Sequence, residues 1–494
     1  MTVTRDHAPL YEALAAHAQL RARSFHVPGH KQHAPWGEVG APPYYYDSIL
    51  EIDVTELSDT DDLHHPEGPI ADAQKLAADC YDTEETRFLV GGSTAGNLAM
   101  ILGVCHSGDL VILQRNVHKS IIHGLMLAGV RAVLLPSAID ASSGLATIPE
   151  ERLLREALEK YRGEAKAVIL SSPNYYGMSH DLTPLVRLAH EIHVPVLVDE
   201  AHGPHFGFHP AFPETALRAG ADVVVQSTHK MLSAMTMGAM LHMQGALVPR
   251  NAVRQALTMV QSSSPSFPIM ASLDLARRQL HTQGAEMFRS AMEAVKQATR
   301  GLSETTYRAL GYGEYASEGI AYDPLKLVLF DESGGLSGFE LRDELIRRKC
   351  IPEMADARYV VLAFGPGSTW EDGDRLSDAL REISQASPNG REKGNKLTDR
   401  TRTASSSLET YVVPDPVIFA REGFESHAIE LADSAGYRSA EWIIPYPPGI
   451  PMLYPGEVIT EEIIEQLRRW RHEGAQIQGA QDPELGTLQV KTNL

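Results

Sequence analysis

Short β-branched runs alternating with amphipathic stretches predict an α/β protein with a mostly parallel sheet carrying helices on both faces. Three observations support this reading. Apolar runs such as Val223 to Val225 and Val196 to Val198 are too short for helices and end in polar residues. Groups able to do chemistry follow directly on several of these runs, where open parallel sheets bind their ligands. A chain of 494 residues also exceeds a single hydrophobic core and divides into domains. The expected division is an N-terminal arm over 1–50, a large α/β domain over 51–275 and a smaller α/β domain over 276–386. A flexible linker over 387–408 and a C-terminal α+β domain over 409–494 complete it.

Residues 9–23 place Leu10, Ala13, Leu14 and Ala18 on one side of a helix. The turn Ser24-Phe25-His26-Val27-Pro28-Gly29-His30-Lys31 ends it. Residues 53–70 are acidic and aperiodic, which by composition reads as a solvated loop. A helix at 71–81 and a strand at 86–90 follow, then Gly91-Gly92-Ser93-Thr94-Ala95-Gly96-Asn97 opens another helix. Further strands are expected at 110–113, 132–135, 167–170, 194–198 and 223–226, with a helix at 184–193. Residues 271–300 read as one long helical stretch leading into a second unit with strands near 325–330 and 359–363. Helices at 338–348 and 370–384 complete that unit, and the polar, apolar-poor run after it is the linker. Met231, Met235, Met237 and Met240 read as core filling.

A net charge of −20 argues against non-specific nucleic-acid binding and suits cationic substrates. Cys80, Cys105 and Cys350 are scattered, giving neither a disulfide framework nor a zinc spacing, so a reducing cytoplasm is expected. The N-terminus lacks the layout of a signal peptide, and no stretch has the apolar length of a membrane span.

The chemistry centres on Gln226-Ser227-Thr228-His229-Lys230. A lysine amine is nucleophilic only when neutral, which enclosure favours, and such lysines form Schiff bases with carbonyl substrates and pyridoxal phosphate (PLP). Upstream, the buried run Val196-Leu-Val-Asp199 ends in an acid, and PLP enzymes pair an Asp with the pyridinium nitrogen. The glycine–hydroxyl turn at 91–97 offers backbone N–H groups and a helix end to a phosphate, without the Gly-Lys-Ser/Thr ending of a nucleotide P-loop.

Six stretches in order carry a resemblance: Phe25-His-Val-Pro-Gly-His-Lys31, Asp61-Asp-Leu-His64, Asn116-Val-His-Lys-Ser120, Val198-Asp-Glu-Ala-His-Gly203, Ser227-Thr-His-Lys230 and Tyr446-Pro-Pro-Gly-Ile-Pro451. Together they resemble the Orn/Lys/Arg decarboxylase family of fold-type-I (aspartate aminotransferase-like) PLP enzymes. The likeness is to its short form, the arginine decarboxylases, some of which are labelled lysine decarboxylases. The sequence departs from the family pattern at Gly91-Gly92-Ser93 and over 415–437.

The resemblance implies that Lys230 carries PLP, Asp199 pairs with its ring nitrogen, His118 stacks on one ring face and Ala201 lies beneath the other. It implies that Ser93, Thr94, Ser227 and His229 hold the phosphate with backbone near Ala95, and that His202 touches the ring oxygen or the substrate carboxylate. Asp61, Asp62 and Glu353 are the implied partners of the substrate's distal cation, and Lys230 and His229 the candidate donors of a proton to Cα. The implied reaction is decarboxylation of arginine to agmatine in polyamine biosynthesis, with lysine to cadaverine or ornithine to putrescine as alternatives. A homodimer or larger homo-oligomer with active sites at the dimer interface is implied too.

A PLP aminotransferase or aldolase on the same fold is a rival, because fold does not fix reaction. A metal site built from Asp199, His202, His205 and His209 is disfavoured, since glycine and proline between the histidines deny them a shared helical face. No metal, nucleic acid or membrane partner is expected.

Overall fold

The computed structural model describes residues 3–33, 44–386, 412–419, 425–446, 451–472 and 476–492. The linker expected at 387–408 and the 447–450 part of the proline-rich turn lie outside the described residues. The chain forms two compact units, Met1–Val104 with Asp181–Arg289, and Cys105–His180 with Ser290–Leu494.

In the first unit four strands lie in the order Glu85–Leu89, Ala239–Met243, Val223–Gln226, Val196–Asp199. The last two are parallel, whereas Ala239–Met243 runs antiparallel to both neighbours. No strand is expected here from sequence, because Ala-Met-Leu-His-Met has no β-branched residue and so carries no strand signal. Burial of all five residues holds it in the sheet.

Helix Gly92–Val104 approaches the sheet closely because its contact positions are glycines. A Cβ at Gly96 would come within 2.7 Å of the Leu89 and Val225 side chains, and one at Gly103 within 2.6 Å of the Val253 Cα. Val253 belongs to helix Arg250–Val260. The free edge of Glu85–Leu89 is covered by two amides: Gln74 Oε1 accepts the Phe88 N–H and Gln261 Oε1 the Val90 N–H, each at 2.9 Å.

Helix Phe267–Gln283 carries Asp274 and Arg277, an ion pair with no exposed surface. Asp274 accepts the Leu10 N–H at 2.9 Å, while Arg277 donates to the carbonyls of Arg5 and His7 at 3.0 and 2.7 Å. The pair thereby anchors the start of helix Pro9–Gln19. The long helix expected over 271–300 breaks in two: Gly284 takes φ +53°, and Arg289–Thr299 starts anew. The methionines divide as well. Met231 and Met240 are buried, but Met235 and Met237 are 40% and 49% exposed, so core filling explains only the first two.

The second unit has three parallel strands, ordered Ala165–Ser171, Leu110–Gln114, Arg131–Leu135, with Val417–Ile418 antiparallel on the last. A separate antiparallel sheet orders Met354–Ala355, Val360–Ala363, Lys326–Asp331 and Tyr307–Ala309. Helix Gly338–Arg347, opened by a Ser337/Glu340 capping box, adjoins it. The C-terminal residues have their own apolar cluster, including Leu453, Ile459, Leu467 and Leu488. Arg115 ties this part to strand Leu110–Gln114: it pairs with both Glu457 oxygens at 2.9 Å and lies 4.1 Å over the Tyr454 ring. Among the described residues no helix is long and apolar enough to cross a membrane, and the three cysteines are free thiols.

Candidate active site

Within the first unit, hydrogen bonds draw together three stretches far apart in sequence. The Gly92 N–H donates to the Met237 carbonyl at 2.9 Å, linking the glycine-rich turn to the loop after Lys230. The Ser227 N–H donates to the Ala201 carbonyl at 3.2 Å and the Glu200 N–H to the Val225 carbonyl at 2.9 Å. These bonds stitch the end of strand Val196–Asp199 to the end of strand Val223–Gln226, where parallel strands place their functional loops.

Lys230 Nζ lies 3.1 Å from His202 Nε2. While Lys230 is an ammonium, which can only donate, Nε2 accepts and the proton of a neutral His202 ring sits on Nδ1. His229 is turned the other way. Its Nδ1 meets the Gly238 carbonyl at 2.9 Å, and since a carbonyl only accepts, Nδ1 carries the proton. In a neutral His229, Nε2 is therefore the unprotonated ring nitrogen.

Asp199 is 6% exposed, and both its oxygens accept: Oδ2 from Asn97 Nδ2 at 2.8 Å and Oδ1 from the Ala201 N–H at 3.1 Å. These two donors fix the orientation of the carboxylate. Asn97, fully buried, lies in the glycine-rich motif, but its partner is 102 residues away, beyond any local pattern. Also unforeseen is a buried network behind the lysine loop. Glu200 accepts from Thr215 Oγ1, the Ala216 N–H and Gln226 Nε2, each at 2.7 Å. Gln226 Oε1 in turn meets His242 Nε2 at 3.2 Å, and His242 Nδ1 meets Thr86 Oγ1 at 2.8 Å. Burial pushes the Glu200 carboxyl up to about 7 despite its three donors, and lowers His242 to about 3.

Ser93, Thr94 and Ala95 occupy the first turn of helix Gly92–Val104, which has no acidic residue there. Its N–H groups and dipole therefore face an anion without competition from a side-chain carboxylate. The hydroxyls of Ser227 and Thr228 are fully buried and meet no partner among the described residues. A buried hydroxyl left unpaired costs about 1–3 kcal/mol, which a ligand oxygen relieves. A lysine amine, a fixed carboxylate, an open helix end and an orphaned hydroxyl beside the lysine together fit PLP.

The acidic loop has its own order. Asp61, at φ +77°, takes five backbone N–H groups on its carboxylate: Asp62 and Glu67 on Oδ1, Gly68, Ile70 and Ala71 on Oδ2. It fixes the entry to helix Pro69–Cys80, so its oxygens are committed to the backbone. Asp62 spends Oδ1 on the His64 N–H at 2.8 Å, and among the described residues Oδ2 has no partner.

His118 and Glu353 belong to the second unit. His118 caps helix Lys119–Ala128, its Nδ1 accepting the Ser120 N–H at 3.2 Å, which leaves the proton of a neutral ring on Nε2. Glu353 is exposed, and its charge opposes the lowering that burial imposes on the Lys326 ammonium. Arg358 packs 5.1 Å from the ring centres of both Phe330 and Tyr359 and donates to the Ser143 carbonyl at 3.4 Å. His205, part of the disfavoured metal set, sits among Phe206, Phe212 and Phe288. Among the described residues no group of three or more His, Cys, Asp or Glu side chains could hold a metal ion.

The family profile described as Orn/Lys/Arg decarboxylase, major domain, matches residues 8–310, and that of the C-terminal domain matches residues 402–485. The chain is 40% identical over 487 residues to the uncharacterized protein YaaO of Bacillus subtilis, spanning 96% of each. It is 33% identical over 500 residues to the arginine decarboxylase of Bacillus subtilis, spanning 99% of this chain and 98% of that one. Lysine decarboxylase A from Pseudomonas aeruginosa matches with a TM-score of 0.79 at 20% identity, covering 98% of this chain and 80% of that chain. That likeness bears out the fold-type-I α/β architecture.

Proposed function

Because the chain belongs to the Orn/Lys/Arg decarboxylase family, we propose that it is a PLP-dependent decarboxylase converting L-arginine to agmatine and CO2. The observation that carries the proposal is the Lys230 amine held on His202, in the same hydrogen-bonded cluster as an Asp199 carboxylate fixed by Asn97. Relatives named arginine decarboxylase, 33% identical over nearly the whole chain, support arginine as the substrate.

PLP, when bound, supplies an electrophilic aldehyde and an electron-accepting ring. Lys230 provides the amine that attaches to it, oriented by His202. Asp199, oriented by its two donors, would hold a proton on the ring nitrogen. The N-terminus of helix Gly92–Val104, with Ser93, Thr94 and Ala95, takes the phosphate, and Ser227 Oγ and His229 complete that cradle. Lys230 Nζ is the group that returns a proton to the substrate Cα, and His229 can do so only when its ring carries a second proton, on Nε2. Asp62, with an open oxygen, is the better acid in its loop for a guanidinium; Asp61 holds the loop in place. For His118, Ala201 and Glu353 the proposed roles rest on the resemblance alone.

A decarboxylase gains nothing from stabilising the substrate carboxylate in the ground state, whereas an aminotransferase clamps it with an arginine. Arg358, already engaged with two rings and a carbonyl, supports the decarboxylase reading. The proposal extends to a cytoplasmic homo-oligomer. Phe25 (93% exposed) and Tyr45 (78% exposed) in the N-terminal arm are apolar surface of the kind a second copy covers. Incubation with PLP and, separately, arginine, lysine and ornithine tests the reaction, with the product amine identified and CO2 measured. Agmatine is expected. Cadaverine or putrescine would move the substrate within the family, and a keto acid without CO2 would overturn the reading.

A further inference from the structure

A cavity of about 240 Å³ opens in the first unit beside the edge strand Glu85–Leu89, lined by Arg87, Arg254, Gln74, His64 and His65 among others and, among the described residues, by no aspartate or glutamate. Its polar lining is rich in donors, set among apolar residues such as Leu63 and Leu257. Arg87 Nε donates to Glu85 at 2.8 Å, and among the described residues its two terminal nitrogens have no acceptor. Arg254 pairs with the same carboxylate through Nε and a terminal nitrogen at 2.8 and 3.1 Å. Two guanidinium groups thus share one carboxylate, and a positive charge is left over. Gln74 is only 4% exposed, and the Phe88 N–H occupies its Oε1. Its Nε2 has no acceptor among the described residues. This amide is therefore available to donate to an acceptor from outside the chain. His64 donates through Nε2 to the Ser262 carbonyl at 2.8 Å.

We propose that this cavity binds a small multi-oxygen anion of the phosphate class. A cation would meet the surplus guanidinium charge, and an apolar ligand would leave the Arg87 and Gln74 donors unpaired. A phosphate group offers several acceptors to the forked donors of arginine. The volume is that of about eight waters at roughly 30 Å³ each, room for free phosphate or for a phosphate monoester with a short organic tail. The residues are separate from the glycine-rich cradle, so the site does not depend on the proposed reaction.

The test is calorimetric titration of the enzyme with PLP present throughout, using inorganic phosphate in one arm and glycerol 3-phosphate in another at constant ionic strength. Saturable binding is expected, at least ten-fold weaker in Arg87→Gln and in Gln74→Glu. The second variant keeps the acceptor for the Phe88 N–H and adds a repelling charge, so it tests the cavity with the strand edge intact. Tighter binding of the monoester would identify an organic phosphate as the ligand, and equal binding the free ion. No saturable heat in either arm, or unchanged affinity in both variants while their melting temperatures match the parent protein, would overturn the proposal.

Discussion

Asn97 Nδ2 stands 2.8 Å from Asp199 Oδ2, so a residue of the glycine-rich helix orients the carboxylate at the end of a strand. Removing the amide in Asn97→Ala should cost about 1.5–3 kcal/mol of hydrogen bonding to a charged group, or roughly a 10- to 100-fold loss of activity. Asn97→Asp should be worse, because it sets a like charge against Asp199. The check is the pH titration of the bound cofactor's absorbance, which should shift in both variants. An unshifted titration in both would remove Asn97 from this role.

Lys230→Ala should abolish the absorbance of lysine-bound PLP and CO2 release together. Its proton-transfer role alone is worth on the order of 10²–10⁴-fold. CO2 release at the parent rate would end the scheme.

Glu200 gives a pH dependence of known sign. Burial raises its folded value from 4.5 to about 7, so its contribution to stability is full below about pH 4.5 and is lost as pH rises through about 7. The stability of the parent protein relative to Glu200→Gln should therefore fall across that window, by up to roughly 3 kcal/mol. His242, lowered to about 3, acts in the opposite sense and is present in both proteins, so it cancels in the comparison. Denaturant melts from pH 4.5 to 8 make the measurement; parallel curves would count against the effect.

Arg358→Gln should lower stability by about 0.5–1 kcal/mol through lost ring contacts and leave the KM for arginine within about threefold. A rise of a hundredfold in KM would instead make Arg358 a carboxylate clamp and favour the aminotransferase rival.

Lys230 and Asp199 were legible because their signals are local: a reactive residue directly after a short β-branched run. The parallel strands were legible for the same reason. Ala239–Met243 was not, since only its neighbours make it a strand, and the break at Gly284 hid because glycine is tolerated inside helical patterns. Composition made the acidic loop look bland. Asp61 organises it through five N–H groups that converge only once the chain takes a left-handed turn at that residue. Asn97, Gln226 and His242 act through contacts that no spacing rule could reveal.

The amides of Gln74 and Gln261 on Phe88 and Val90 have a consequence for the handling of this protein. An open strand margin is a template on which another molecule can extend a cross-β stack. Here the seats are already taken by side chains, so concentrated solutions should resist fibril growth from that border. Removing both glutamines would create a nucleation point.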